Sequence, residues 1–193
     1  MARTASTMLD LGTQAPAFQL PDVVSHETIS LATFSDQAAL LVMFICVHCP
    51  FVKHVEKELA KLGRDYQETG LGLVAISAND VQNYPDDSPA NLATMAKRLG
   101  FTFPVCYDET QAVAKAYTAA CTPDFFLFDG DRQLAYRGQL DDSRPGNSEP
   151  VNGKDLRAAI DALLAGKPLS SEQKPSIGCN IKWIAGNEPP YYG

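Results

Sequence analysis

The sequence predicts an α/β domain, on three observations. An apolar run, Leu40-Leu41-Val42-Met43-Phe44-Ile45, passes directly into Cys46-Val47-His48-Cys49 and then into a helical pattern. Buried-strand and helix patterns alternate from there to residue 117. A strand pair joined by Gly130-Asp131 and one more helix close the order, giving a central sheet of strand–helix–strand units with a terminal hairpin.

Each element has its own signal. Residues 15–34, APAFQLPDVVSHETISLATF, read as an extended lead-in and a hairpin turning near Ser25-His26-Glu27. Residues 39–45 are a buried strand, and 50–68 an amphipathic helix with Phe51, Val55, Leu59 and Leu62 at helical spacing. Residues 71–77 form a second buried strand. A polar, Pro-rich turn follows, then an inserted helix over 89–99 with Ser88 as cap and Pro89 at its first position. Residues 103–107 are a short strand, 110–117 a short helix, and 125–129 with 133–137 the hairpin. A polar loop at 141–152 leads to a helix over 154–165 that Gly166 closes. The last 27 residues show no periodicity and are expected as an extended tail. The predicted organisation is an N-terminal extension at 1–11, one domain at 12–166, and the tail at 167–193 packed on it.

Composition narrows the function. A length of 193 residues suits one domain, and 45% apolar with 20% charged residues suits a globular chain. Sixteen basic residues stand against 23 acidic ones, a net charge of −7, with no basic cluster. Nucleic acid and anionic membrane are therefore not expected partners. The N-terminus lacks the apolar core of a secretory signal, and no apolar run reaches transmembrane length, so a cytoplasmic location is the expectation. Five cysteines at irregular spacing predict a working thiol pair rather than a disulfide framework.

Cys46 and Cys49 are the candidate catalytic residues. Two thiols two residues apart, at the start of a helix, can close a small disulfide ring. Helix N–H groups and the helix dipole favour a thiolate there. Cys46 is expected as the attacking nucleophile, with a pKa below the usual value of about 8.5, and Cys49 as the resolving thiol. The competing readings are two buried structural cysteines or half of a zinc site. Zinc needs four ligands, and the chain has no second Cys-x-x-Cys.

Three segments resemble the thioredoxin-like superfamily, in the redoxin branch that holds the AhpC/TSA peroxiredoxins and TlpA-type thiol–disulfide oxidoreductases. They are the Ala-Pro-x-Phe-x-Leu lead-in from Ala15, the Cys46–Cys49 pair at a strand-to-helix junction, and Thr122-Pro123-Asp124-Phe125-Phe126-Leu127-Phe128-Asp129. Together they span about residues 12–165. The segments 136–147 and 175–183 also resemble a bacterial redoxin-like group. The resemblance implies a thioredoxin-like fold with an N-terminal redoxin hairpin, a helical insertion and an extended C-terminal tail. It implies that Pro123 is cis and faces the cysteine pair, which would expose the Thr122 backbone for pairing with a substrate chain. It likens His48 to the histidine of DsbA-type oxidases, a donor or positive charge for the Cys46 thiolate.

Several positions depart from those relatives. Aligned on Cys49-Pro50, the peroxide-binding Thr and Pro of peroxiredoxins fall at Cys46 and Val42; aligned on the Asp129 end of the later strand, their Arg falls at Pro123. Arg137 or Arg144 is left to substitute in space. Ile45 replaces the Trp of thioredoxins, and Leu40 and Val52 stand where relatives place a buried carboxylate, which leaves proton handling to His48 or water. Asp141, Asp142 and Arg144 read either as a substrate-selecting loop or as an internally paired turn. Cys121 reads as a buried spectator and Cys179 as a potential third, resolving thiol. Cys46, Cys49 and His54 lack the spacing of copper-binding Sco-like relatives, and His26 reads as a solvated turn residue.

The function expected is a thiol–disulfide oxidoreductase acting through Cys46 and Cys49, supported by His48, Thr122 and Pro123. No cofactor or metal is expected, and the partners are protein or small-molecule disulfides and dithiols. The alternative is a thiol peroxidase in which Cys49 becomes a sulfenic acid and Cys46 resolves it. A third reading is a redox-sensing or copper-handling module.

Overall fold

A computed structural model describes residues 3–192. In chain order the strands are β1 (Arg3–Ala5), β2 (Gln19–Pro21), β3 (Thr28–Ser30), β4 (Ala39–Phe44), β5 (Leu71–Ser77), β6 (Val105–Tyr107), β7 (Cys121–Thr122), β8 (Asp124–Phe128), β9 (Leu134–Tyr136) and β10 (Ile177–Asn180). The α-helices are α1 (Pro50–Asp65), α2 (Pro89–Leu99), α3 (Ala112–Ala116) and α4 (Lys154–Leu164). Among the described residues no helix is long and apolar enough to cross a membrane.

Five strands make the central sheet, in the order β6-β5-β4-β8-β9. β4 and β5 run parallel, Ala39 opposite Leu71 through Phe44 opposite Ile76, because the α1 crossover returns the chain to the same end. β8 lies antiparallel on the other side of β4 and continues by a tight turn into β9. Alternation along β4 sorts its side chains. Leu41 and Met43 join Leu59 and Leu62 of α1 and Leu156 and Ile160 of α4 on one face. Leu40, Val42 and Phe44 join Phe126, Phe128 and Tyr117 on the other.

The β2–β3 hairpin turns at His26, whose φ is +63°. Ser88 caps α2 by accepting the Asn91 N–H, and Gly100 ends it in the left-handed region. α3 is shorter than the sequence pattern suggested. Gln111 at its start takes φ +62°, and its buried amide donates to the carbonyls of Ala78 and Lys182 while accepting the Ile184 N–H. A residue that reads as helix is spent on tying down the tail.

The tail itself is not merely extended. β10 runs between β1 and β7 in a second, three-stranded sheet, with Arg3 opposite Cys179 and Cys179 opposite Thr122. The two chain ends thereby meet against the residues preceding β8.

Candidate active site

The end of β4 and the start of α1 set the site. Pro50 has no N–H to leave unpaired, and its fixed φ suits the first helical position. α1 accordingly starts at Pro50, and Cys49 is its N-cap residue. Cys46 and Cys49 are both fully buried, and none of the five cysteines is bridged.

Thr122 faces both sulfurs. Its Oγ1 lies 3.3 Å from Cys46 Sγ, and its carbonyl accepts from the Cys49 thiol at 3.2 Å. The Thr122–Pro123 peptide bond is cis, as the resemblance implied. The Thr122 edge, expected to be exposed, is instead covered by β10.

The two thiols have opposite electrostatics. A hydrogen bond from the Cys46 thiol holds Cys49 down to about 5 against the cost of burial. The Cys179 thiol and the backbone N–H groups of Val52 and Cys179 assist it. Cys46 is pushed well up, by that hydrogen bond, by burial and by the negative charge of Asp87. The sequence suggested Cys46 as the thiol with the lowered pKa; here the neighbouring donors favour the thiolate at Cys49 and disfavour it at Cys46. The helix begins after the second cysteine, so the helix terminus serves Cys49.

Asp87 supplies the buried carboxylate that Leu40 and Val52 do not. It is fully buried in a short 3₁₀ turn, Pro85–Asp87, ahead of α2. Its Oδ1 accepts the N–H groups of Val47 and His48 at 2.8 and 3.0 Å. Its Oδ2 takes Asn79 Nδ2 at 2.7 Å and lies 2.5 Å from His48 Nδ1. His48 therefore spends its hydrogen bond on Asp87 rather than on Cys46, and its ring stacks on Tyr84 with centroids 5.7 Å apart. Asn79 Oδ1 in turn accepts the Lys182 N–H at 2.8 Å, linking the network to the tail.

Ligand atoms of Cys46, His48 and Asp87 lie within 4.8 Å of one another, a possible metal triad. The carboxylate's acceptor capacity is already taken by four N–H contacts, so the cluster works as a hydrogen-bonded brace. His54 does not join the cysteines; it lines a shallow pocket beside Pro123 with Phe51 and Arg144. His26 is exposed in its turn.

The loop from Gln139 to Gly153 is an internally paired turn. Asp141 accepts from Ser143, Asn152 and Gly153, and Asp142 pairs with Lys154 and Lys174. Arg144 is occupied by Gln139 Oε1 and the carbonyls of Asp141 and Ser143. Among the described residues neither Arg144 nor Arg137 hydrogen-bonds Cys46 or Cys49, so neither stands in for the guanidinium that Pro123 displaces in the alignment. Cys121 is buried and inert, pushed up by burial, with its thiol on the Pro123 carbonyl. The sequence reading missed Asp87 and Asn79 entirely. The position of Cys49 was signalled by Pro50.

Comparisons with known proteins agree with this architecture. The sequence model of the AhpC/TSA family matches residues 11–137. A candidate peroxiredoxin of Mycobacterium tuberculosis is 29% identical over 116 residues, 60% of this chain and 68% of that protein. The thiol-disulfide oxidoreductase ResA of Geobacillus kaustophilus is 26% identical over 134 residues, 68% of this chain and 70% of that one. Among solved structures, an uncharacterized conserved protein of Geobacillus kaustophilus is 55% identical with a TM-score of 0.93, covering 95% of this chain and 97% of that one. At 18% identity, a structure described as a DsbE-type thiol:disulfide interchange protein from Chlorobium tepidum aligns with a TM-score of 0.63 over 81% of this chain and 99% of that one, which fixes the fold alone. The chain thus has a thioredoxin-like fold and belongs to the AhpC/TSA family.

Proposed function

We propose that this protein is a thiol–disulfide oxidoreductase in which Cys49 attacks and Cys46 resolves. The observation that carries the reading is the placement of Cys49 at the N-terminus of α1 with its thiol lowered to about 5 beside a second thiol. The Cys49 thiolate attacks one sulfur of a substrate disulfide, releasing the other as a thiol once it takes up a proton. Cys46 then gives up its proton and attacks Cys49 Sγ, closing Cys46–Cys49 and releasing the second substrate thiol. Run in reverse, the same steps oxidise a dithiol. Thr122 Oγ1 holds the Cys46 sulfur, and Asp87 fixes the backbone that follows it, for the second step. Both sulfurs are buried, so substrate entry goes through a local opening of the site.

The peroxidase reading shares Cys49 as attacking atom, and the low thiol pKa favours it too. Peroxide reduction needs donors that polarise the O–O bond, and the matching positions hold Cys46 and Pro123. Disulfide exchange is therefore the better reading. Disulfide reduction and hydrogen peroxide consumption are measured for wild type, Cys46→Ser and Cys49→Ser. The expected result is disulfide turnover lost in both variants, with slow peroxide oxidation throughout. Rapid single-turnover oxidation of Cys49 by peroxide in Cys46→Ser would overturn the reading in favour of a peroxidase.

A further inference from the structure

The described residues place a third sulfur at this site. β10 pairs antiparallel with β7 so that Cys179 lies opposite Thr122, the residue whose carbonyl touches Cys49 Sγ. Cys179 is among the groups that favour the Cys49 thiolate, through its thiol and its backbone N–H. Cys179 is 2% exposed, within the same apolar cluster as Cys46 and Cys49.

The strand that delivers it is fixed on both sides. Ser176 Oγ donates to the Pro123 carbonyl at 2.6 Å, the Ser6 N–H to the Ser176 carbonyl at 2.9 Å, and the Ile181 N–H to the Ala120 carbonyl at 3.1 Å. Gly178 permits the close approach, because a Cβ there would fall 2.0 Å from the Thr122 oxygen and 3.1 Å from the Pro123 nitrogen. β10 thus fills the Thr122 edge on which an extended substrate chain would otherwise add, with Cys179 opposite Thr122.

We propose that Cys179 is a third redox thiol, an internal partner that β10 presents to Cys49 for a Cys49–Cys179 disulfide. The step rests on the reading of Cys49 as the attacking thiolate. Attack of Cys49 on a low-molecular-weight disulfide RSSR breaks its S–S bond, forms Cys49–S–S–R and releases RS⁻, which leaves as RSH after protonation. Cys179 then loses its proton, and its sulfur attacks Cys49 Sγ. The new Cys49–Cys179 bond displaces RS⁻, which leaves with a proton as the second RSH. One RSSR is reduced to two RSH while two protein thiols become one disulfide. Attack of Cys46 on Cys49 Sγ moves the disulfide to Cys46–Cys49 and returns Cys179 to the thiol. Burial holds Cys179 up at about 12, so its attack depends on its nearness to Cys49 rather than on a standing thiolate.

The test uses Cys46→Ser and Cys46→Ser/Cys179→Ser, each exposed to oxidised glutathione. Remaining thiols are alkylated, and the products are read by intact mass and peptide mapping. The expected result is that Cys46→Ser passes from a Cys49–glutathione adduct to a Cys49–Cys179 bridge, while the double variant keeps the adduct at least about tenfold longer. The inference is overturned if Cys46→Ser holds its adduct as long as the double variant, or bridges Cys49 to Cys121 or Cys106. Cys46→Ala serves as a second background, and circular dichroism confirms folding in both. A wild-type protein that closes Cys46–Cys49 while Cys46→Ser stalls removes only the role of Cys179. A Cys49 that takes up no glutathione in any variant removes the underlying function as well.

Discussion

Cys49 and Cys106 are both fully buried, at opposite ends of the range a thiol can reach. Cys49, at the head of α1, is held to about 5. Cys106, in the edge strand β6, is pushed up to about 12 by burial and by the negative charge of Asp22 across an isolated bridge. Depth is common to the two sites. Donors are not: two thiols and two backbone N–H groups favour the Cys49 thiolate, whereas among the described residues none offsets the burial of Cys106. Burial alone makes a thiol inert, and convergent donors make a buried one reactive.

The largest break in that contrast comes from removing Cys49. At pH 6 a thiol at about 12 has a thiolate fraction on the order of one in a million, whereas one at about 5 is mostly ionised. Mildly opened protein labelled with iodoacetamide at pH 6 is expected to react at Cys49, and Cys49→Ser to lose at least about a thousandfold in rate. Faster labelling of Cys106 would erase the distinction. Next, Cys46→Ala removes the strongest donor to Cys49, and its pKa is expected to rise by about one to two units, followed by thiolate absorbance against pH. The linkage has a definite sign. Because folding lowers this pKa, its stabilisation of the reduced protein is complete above the unfolded value of about 8.5 and is lost as pH falls through about 5.

A smaller effect comes from a buried carboxyl one residue past Pro123. Burial raises Asp124 to about 7, so the proton it holds in the folded state favours folding at low pH. That advantage disappears as pH rises from about 4 through about 7. Asp124→Asn is expected to stabilise the protein by about 1–3 kcal/mol at pH 8 and to leave it nearly unchanged at pH 4, read from thermal unfolding at both. An equal change at the two pH values would show that the charge is not the cause. His48→Ala gives the smallest effect. Its ring contacts Asp87 and Tyr84, so the reduction potential should stay within about 10 mV of wild type while stability drops by about 1 kcal/mol. A shift of tens of millivolts would restore His48 as the tuner of the thiol pair.

What the chain reveals before folding follows the range of each interaction. The β4–α1 junction, the Ser88 and Gly100 caps and the β8–β9 turn are decided by neighbours in sequence, and their patterns are plain. Pro50 even marks the helix start, and with it the cysteine that sits at the helix terminus. Asp87 reaches Val47 across 40 residues, and Asn79 reaches Lys182 across 103. No local pattern announces either contact. β10 escaped because its partners β1 and β7 are three and two residues long, too short for a period of two to register.

The protein's single tryptophan, Trp183, lies four residues beyond Cys179 on the same segment. It is 8% exposed and packs edge-on to Tyr191, with ring centroids 6.4 Å apart. An indole so placed emits from an apolar environment, and any event that lifts β10 from Thr122 carries it toward water. The molecule thus contains its own optical gauge. A red shift in emission would report any movement of this strand, with no label attached.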